Sequence, residues 1–233
     1  METFIHLGQH KTGTTSIQSF LLRNQAALEA QRILIPTDFM GRNTANHYEL
    51  NLVTLADQRS SPMKDAFTGS LENLKEKVEN EIDLIYEIGI NKNCNKVLFS
   101  NEGLSFLRHY EEYEALYNLF SRYSMKVSVV ICLREEKEFK SSWASQLKRM
   151  GLDEEKNDKN SYRYLGDDSW LFKWQDRLAV ISQIFDKLIV YKYKRNSSIY
   201  SFCDALNIDL LKIDKNPDKI YQLNVNKDFN STD

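Results

Sequence analysis

The chain has 233 residues, with 31 Lys and Arg against 33 Asp and Glu, a formal net charge of −2, and 42% hydrophobic residues. That length suits one sizeable α/β domain and is short for two, and the near-balanced charge argues against a generic nucleic-acid binder, which would present a basic face. The three cysteines, Cys94, Cys132 and Cys203, are odd in number, far apart and without C-x-x-C spacing, which points to a reducing compartment and offers no metal site.

In chain order, residues 4–8 read as a strand, and residues 14–31 as a helix with Ile17, Phe20, Leu21 and Leu28 on one stripe. Residues 32–36 form a short extended segment stopped by Pro36, and residues 38–46 a loop with Gly41, Asn43 and Asn46. A helix is expected over residues 47–56, a polar mobile stretch over 57–68, and a long amphipathic helix over 71–88. Strands follow at 96–100 and 126–133, the second the most apolar in the chain and hence interior. Helices are expected at 111–122 and 135–150, a polar surface loop at 151–166, a tryptophan-bearing helix at 169–185, a strand at 187–193 and a last helix at 197–206. The tail from residue 207 is weakly patterned. Strands alternating with helices predict a central parallel sheet of about five strands with helices on both faces, joined by right-handed crossovers. No apolar run reaches membrane-spanning length, and the N-terminus lacks a basic segment followed by an apolar one, so the chain is expected to be cytoplasmic.

The most telling stretch is Gly8-Gln9-His10-Lys11-Thr12-Gly13-Thr14-Thr15-Ser16, directly after the first strand. A strand running through a glycine-flanked loop into a helix presents backbone N–H groups and a helix N-terminus to a phosphate. Gly8 and Gly13 have the spacing of the G-x-x-x-x-G-K-[ST] nucleotide-binding pattern. The residue after Gly13 is nevertheless Thr14, and the lysine, Lys11, sits inside the loop. A nucleoside triphosphatase needs its lysine at the helix start, so the displacement suggests a different phosphate ligand and different chemistry. Ligands of such sheets bind at the carboxyl ends of strands, where two more strands deliver polar residues: Ser100-Asn101-Glu102 and Arg134. Ser142 lies eight residues after Arg134, about two helical turns on. Arginine offers a planar, permanently charged fork for phosphate, and a hydroxyl adds a donor.

The pairing of His10-Lys11-Thr12-Gly13-Thr14-Thr15-Ser16 after the first strand with Leu133-Arg134 and Ser142-Trp143 at a later strand–helix junction resembles the PAPS-dependent sulfotransferases, in particular bacterial carbohydrate-type members. The stretch Ser142-Trp143-Ala144-Ser145-Gln146-Leu147-Lys148, Trp174, and Ile189-Val190-Tyr191-Lys192-Tyr193 extend the resemblance to about residue 210. It implies one sulfotransferase-like P-loop-type domain over residues 1–233, with its core at 4–210 and a tail at 211–233. It implies that Lys11 reaches the bridging oxygen between phosphate and sulfonate, that Gly13, Thr14, Thr15 and Ser16 receive the 5′-phosphate, and that Arg134 and Ser142 clamp the 3′-phosphate. His10 and Thr12 belong to the same cofactor loop, His10 through its backbone, and Tyr193 packs near the adenine. The implied acceptor is a carbohydrate or other small hydroxylated molecule, with no nucleic acid and no metal involved.

Two residues stand as the general base that takes the acceptor's proton. Glu102 occupies the position resembling the catalytic histidine of cytosolic members, and other carbohydrate members use a glutamate. His47, in a polar loop entering a helix, has the ordinary histidine pKa suited to a base. Trp143, Trp170 and Trp174 are either core residues or sugar-stacking surfaces. The R-K-G loop that closes the 3′-phosphate site in cytosolic members has no counterpart, and Asn224-Val225-Asn226-Lys227 is its weak substitute. Two other readings remain open. A P-loop nucleotide kinase predicts a lysine after Gly13 and an aspartate at a strand end, and neither is present. The other is a non-catalytic nucleotide-binding protein of the same fold, against which the joint presence of Lys11, Arg134 and Ser142 speaks.

Overall fold

A computed structural model describes residues 1–213 of the chain. Five parallel strands, β1 (Glu2–Gly8), β2 (Ile33–Leu34), β3 (Lys96–Asn101), β4 (Lys126–Leu133) and β5 (Lys187–Lys192), form one sheet in the order β2-β3-β1-β4-β5. The nine described α-helices are α1 (Thr14–Arg23), α2 (Gln25–Glu29), α3 (Glu49–Thr54), α4 (Pro62–Asp65), α5 (Leu71–Asn91), α6 (Tyr110–Ser121), α7 (Glu136–Arg149), α8 (Trp174–Ile184) and α9 (Ser198–Ala205). This is the expected α/β architecture, a parallel sheet of P-loop type with helices on both faces.

Alternating side chains of the strands feed two separate cores. Ile5 and Leu7 of β1, with Val97, Phe99, Val127, Val129 and Ile131, pack under α3, α5, α6 and α8. Phe4, Leu98 and Val130 point the other way, against Ile17, Phe20 and Leu21 of α1 and Ile199, Phe202 and Cys203 of α9. Each fully buried Leu, Ile or Phe adds about 1.5–3 kcal/mol of apolar burial. A third cluster joins Phe139, Trp143 and Leu147 of α7 to Phe106, Tyr162, Leu165, Leu171 and Phe172. The chain leaves β1 toward β2 and β3 on one side, then returns past it to β4 and β5 on the other. The carboxyl ends of β1, β3 and β4 therefore surround the switch point, the place where open α/β sheets bind ligands.

Several boundaries differ from those expected. The helix expected over 14–31 is broken at Asn24, whose Nδ2 donates to the Phe20 carbonyl at 2.8 Å and ends α1. Asparagine competes with the helix ladder for backbone partners in this way. The helix expected from residue 47 starts at Glu49, because His47 bonds to other segments. The stretch 57–68 contains α4, started by Ser61 as N-cap (Lys64 N to Ser61 Oγ, 3.2 Å) with Pro62 in its first turn, and its Arg59 and Ser61 are buried. Tyr162 and Leu165 of the expected surface loop 151–166 are core residues. In the expected 169–185 helix, residues before Trp174 form turns that bury Leu171 and Phe172.

Candidate active site

The loop between β1 and α1 is held in shape from within and from β4. Thr12 Oγ1 donates to the Gln9 carbonyl at 2.5 Å, and Gln9 Oε1 accepts from the Arg134 backbone N–H at 2.8 Å. Lys11 has a φ of 67° and Gly13 a φ of 84°. For lysine that left-handed backbone costs on the order of 1–3 kcal/mol, a strain typical of functional loops. Gly13 is required twice over, since a Cβ there would also come within 2.7 Å of Ser198 in the first turn of α9. Gly13 provides no side-chain cap to α1, and the first turn of α1 holds no acidic residue. The opening N–H groups of the helix thus lack helical partners. Thr14 Oγ1 beside them is buried without a partner. This donor set fits a phosphate-type anion.

An open cleft of about 1410 Å³ lies over this loop. Of the residues singled out in the sequence, His10, Lys11, Gly13, Thr14, Thr15, Ser16, Glu102, Arg134, Ser142 and Tyr193 all line it. Arg134 leaves the end of β4 and turns back, donating from Nη1 to the Lys11 carbonyl at 3.0 Å and from Nε to Glu138 at 3.1 Å, with its guanidinium 4.9 Å from the Tyr193 ring centre. Lys11 titrates below the ordinary lysine range. Its partial burial is the main cause, the nearby Arg149 and Arg134 charges add to it, and Glu102 opposes.

Glu102 begins a 3₁₀ turn, Glu102–Phe106, directly after β3. Side chains from four elements or loops fix that turn. Asn101 Oδ1 accepts from Leu104 N at 3.0 Å, and Asn51 of α3 donates to the Gly103 carbonyl at 2.9 Å. Arg177 of α8 donates to the Ser105 carbonyl at 2.6 Å, and Arg59 to the Phe106 carbonyl at 2.8 Å. The Glu102 side chain stays 38% exposed in the cleft, with His10 Nδ1 3.7 Å from its Oε2. The arrangement sets an ammonium, a guanidinium, hydroxyls and an exposed carboxylate around one space, which is suited to binding an anionic ligand beside a proton acceptor.

Two expected site residues stand outside the cleft. Thr12 is buried and serves the loop's own geometry. His47, expected as a candidate base, is fully buried and bonded on both ring nitrogens. Nδ1 accepts from Ser100 N at 3.0 Å, so Nε2 carries the proton and donates to the Pro36 carbonyl at 2.9 Å. Burial lowers its pKa to about 4, against the pull of the Pro36 carbonyl. A neutral histidine without a free nitrogen or access to the cleft cannot take a proton from an acceptor there. Trp143 is core rather than sugar platform, 1% exposed, with Nε1 donating to the Tyr162 carbonyl at 2.9 Å. Asn224-Val225-Asn226-Lys227 lies outside the described residues.

Sequence reasoning passed over Arg149, Phe106, Arg195 and Asn196 of the β5–α9 connection, and Ser198 at the start of α9, all of which line the cleft. A signal for Arg149 was present: Ser142, Gln146 and Arg149 follow the i, i+4, i+7 spacing of one helix face. Phe106 and Ser198 reach the cleft through tertiary packing and carried no such signal. Among the described residues no group of three or more His, Cys, Asp or Glu side chains is arranged to hold a metal, and no helix is long and apolar enough to cross a membrane.

No family model matches the chain, and no curated protein matches it significantly. Among solved structures, it is similar to the sulfotransferase domain from the curacin biosynthetic pathway, with a TM-score of 0.43 and 13% identity over 92% of this chain and 78% of that one.

Proposed function

We propose that the protein is a PAPS-dependent O-sulfotransferase that moves a sulfonyl group from PAPS to a hydroxyl of a carbohydrate or other small acceptor. The observation that carries this reading is the convergence on one cleft of Lys11, held inside the phosphate-type loop, with Arg134, Ser142 and Glu102. PAPS supplies an activated sulfonyl group on a 5′-phosphate. The open first turn of α1 and the unpartnered Thr14 hydroxyl receive that phosphate, and Lys11 offsets the charge that grows on it as it leaves. Arg134 and Ser142 hold the 3′-phosphate, with Tyr193 beside the adenine. The acceptor oxygen bonds to sulfur while the bond from sulfur to the phosphate oxygen breaks, its electron pair staying on the phosphate. The acceptor's proton passes to Glu102. The reading treats residues 1–233 as one domain with its working core at 4–210, active in the cytoplasm; three buried cysteines, none of them in a disulfide, fit a reducing compartment.

A kinase reading has less support, because Thr14 stands where its lysine belongs and β4 leads into Arg134 rather than an aspartate. A thermal-shift titration separates the two. The expected result is stabilisation by 3′-phosphoadenosine 5′-phosphate and a smaller effect of ATP with Mg²⁺. Stabilisation by ATP–Mg²⁺ with none from the bisphosphate would overturn the sulfotransferase reading.

A further inference from the structure

His10 lines the cleft with a mostly buried side chain, and the role given to its loop uses only its backbone. Its ring packs at a tilt against two aromatic rings that also touch each other, 4.7 Å from the Phe106 centroid and 4.6 Å from that of Trp143. Phe106 ends the same turn that Glu102 begins, and Trp143 is fixed in the α7 core through its bond to Tyr162. The imidazole therefore has its orientation set by the two elements that flank the cleft. Nδ1 faces Glu102 Oε2 at 3.7 Å, just beyond hydrogen-bond reach, while Nε2 is buried and has no partner. Catalytic hydrogen bonds are commonly long in ligand-free enzymes and tighten in the substrate complex.

We propose that His10 is the positioning partner of Glu102, its packed imidazole orienting the carboxylate that takes the acceptor's proton; this rests on the sulfonyl-transfer reading. With no partner for Nε2, the tautomer protonated on Nδ1 gives the ring its one available hydrogen bond, a donation to Glu102. The charged groups facing the ring are Glu102 from the 3₁₀ turn and Lys11 from its own loop, while α7 contributes the uncharged Trp143. Burial pushes the imidazole below its ordinary value, Glu102 pulls it partly back, and Lys11 adds to the lowering. The ring is thus a neutral donor at neutral pH. It sets the direction of the carboxylate without adding a positive charge beside Lys11. Such support of a reacting group by a rotamer-locked neighbour is what precise proton transfer requires.

The test has two arms. In the first, NMR follows the His10 ring proton through a pH titration in the unliganded protein and in Glu102→Gln, with the other histidines assigned by substitution. The expected result is a lower His10 midpoint in Glu102→Gln; an unmoved midpoint overturns the pairing. In the second, single-turnover cleavage of radiolabelled PAPS, with water as acceptor, is compared in the wild type, His10→Phe and His10→Gln. His10→Phe keeps an aromatic ring against Phe106 and Trp143 and is expected to lose rate on the order of 10²-fold while binding 3′-phosphoadenosine 5′-phosphate as the wild type does. His10→Gln, which restores a donor, is expected to recover part of that rate. Equal rates in all three overturn the positioning role, as does a loss in His10→Phe that appears in bisphosphate affinity instead. If the wild type neither binds the bisphosphate nor cleaves PAPS, the sulfonyl-transfer reading fails, and the catalytic role of His10 fails with it. A midpoint that still falls in Glu102→Gln would then leave only the physical contact. An active wild type with an unmoved midpoint sinks the pairing alone.

Discussion

Glu112 at the start of α6 is the buried anchor on which the turn carrying Glu102 depends, and Glu112→Gln is the substitution that measures it. Its side chain is 1% exposed and that of its partner Arg59 is 7% exposed. Arg59 Nη1 donates to Glu112 Oε1 at 2.7 Å, and the backbone N–H groups of Arg108, His109 and Ala56 donate to the carboxylate at 2.8, 3.0 and 3.1 Å. Burial opposes ionisation of Glu112, but the Arg59 charge and these N–H donors outweigh it and hold its carboxyl below the ordinary glutamate range. Glutamine keeps the shape and removes the charge, leaving a buried guanidinium without its counter-charge. Breaking a buried pair from one side costs about 3–5 kcal/mol, equivalent to a melting-temperature drop of about 6–20 °C in a domain of this size. Urea denaturation read by linear extrapolation checks the value. Because the folded carboxyl titrates below the unfolded one, its contribution is complete above the ordinary glutamate pKa. That contribution disappears as pH falls through the folded value, so the gap between wild type and Glu112→Gln should close in acid. A deficit below 1 kcal/mol at neutral pH, or one that does not narrow in acid, would refute the reasoning. Arg59 also donates to the Phe106 carbonyl, so the same change should loosen the face on which His10 rests.

Lys11→Ala and Arg134→Ala should separate in kind: the first chiefly lowers turnover of PAPS, the second chiefly weakens binding of the bisphosphate measured by calorimetry, and wild-type behaviour in either removes its assigned role. Glu102→Gln should lower the rate by on the order of 10²–10⁴-fold with the fold intact. His47→Ala should instead destabilise the protein by about 1–3 kcal/mol, from the buried partners it leaves unmet; a folded, stable His47→Ala that loses the pH-dependent rate would return the base to His47.

The fold was legible because its signals are local and repeated. Apolar runs at β1, β3 and β4, separated by helical stripes, require parallel strands with crossovers, and the sheet has them. The errors fall where tertiary partners overrule local pattern. Asn24 stops a helix that propensity would continue. Arg59 and Ser61, polar residues in a stretch that reads as solvent-exposed, are buried because Glu112 and Asn51 wait for them across the fold. Tyr162 and Leu165 are in the core because they pack with Trp143, Leu147 and Phe106, residues distant in sequence.

The site divides in the same way, and the division follows from chemistry. Anion binding uses backbone N–H groups, one glycine and a helix start, all of which a chain encodes within a few consecutive residues, so Gly13 through Ser16 announce themselves. Orienting a proton acceptor is different. Glu102 projects from a turn whose carbonyls are held by Asn51, Arg59 and Arg177, residues 47 to 72 positions along the chain from the carbonyls they reach. None of the three has a local pattern that marks it, since each is a polar side chain whose meaning lies in the carbonyl it reaches. The same reasoning accounts for His47, whose ordinary chemistry suits a base but whose two nitrogens are bound to Ser100 and Pro36. Of the two candidate bases, Glu102 is therefore the one whose carboxylate faces the cleft.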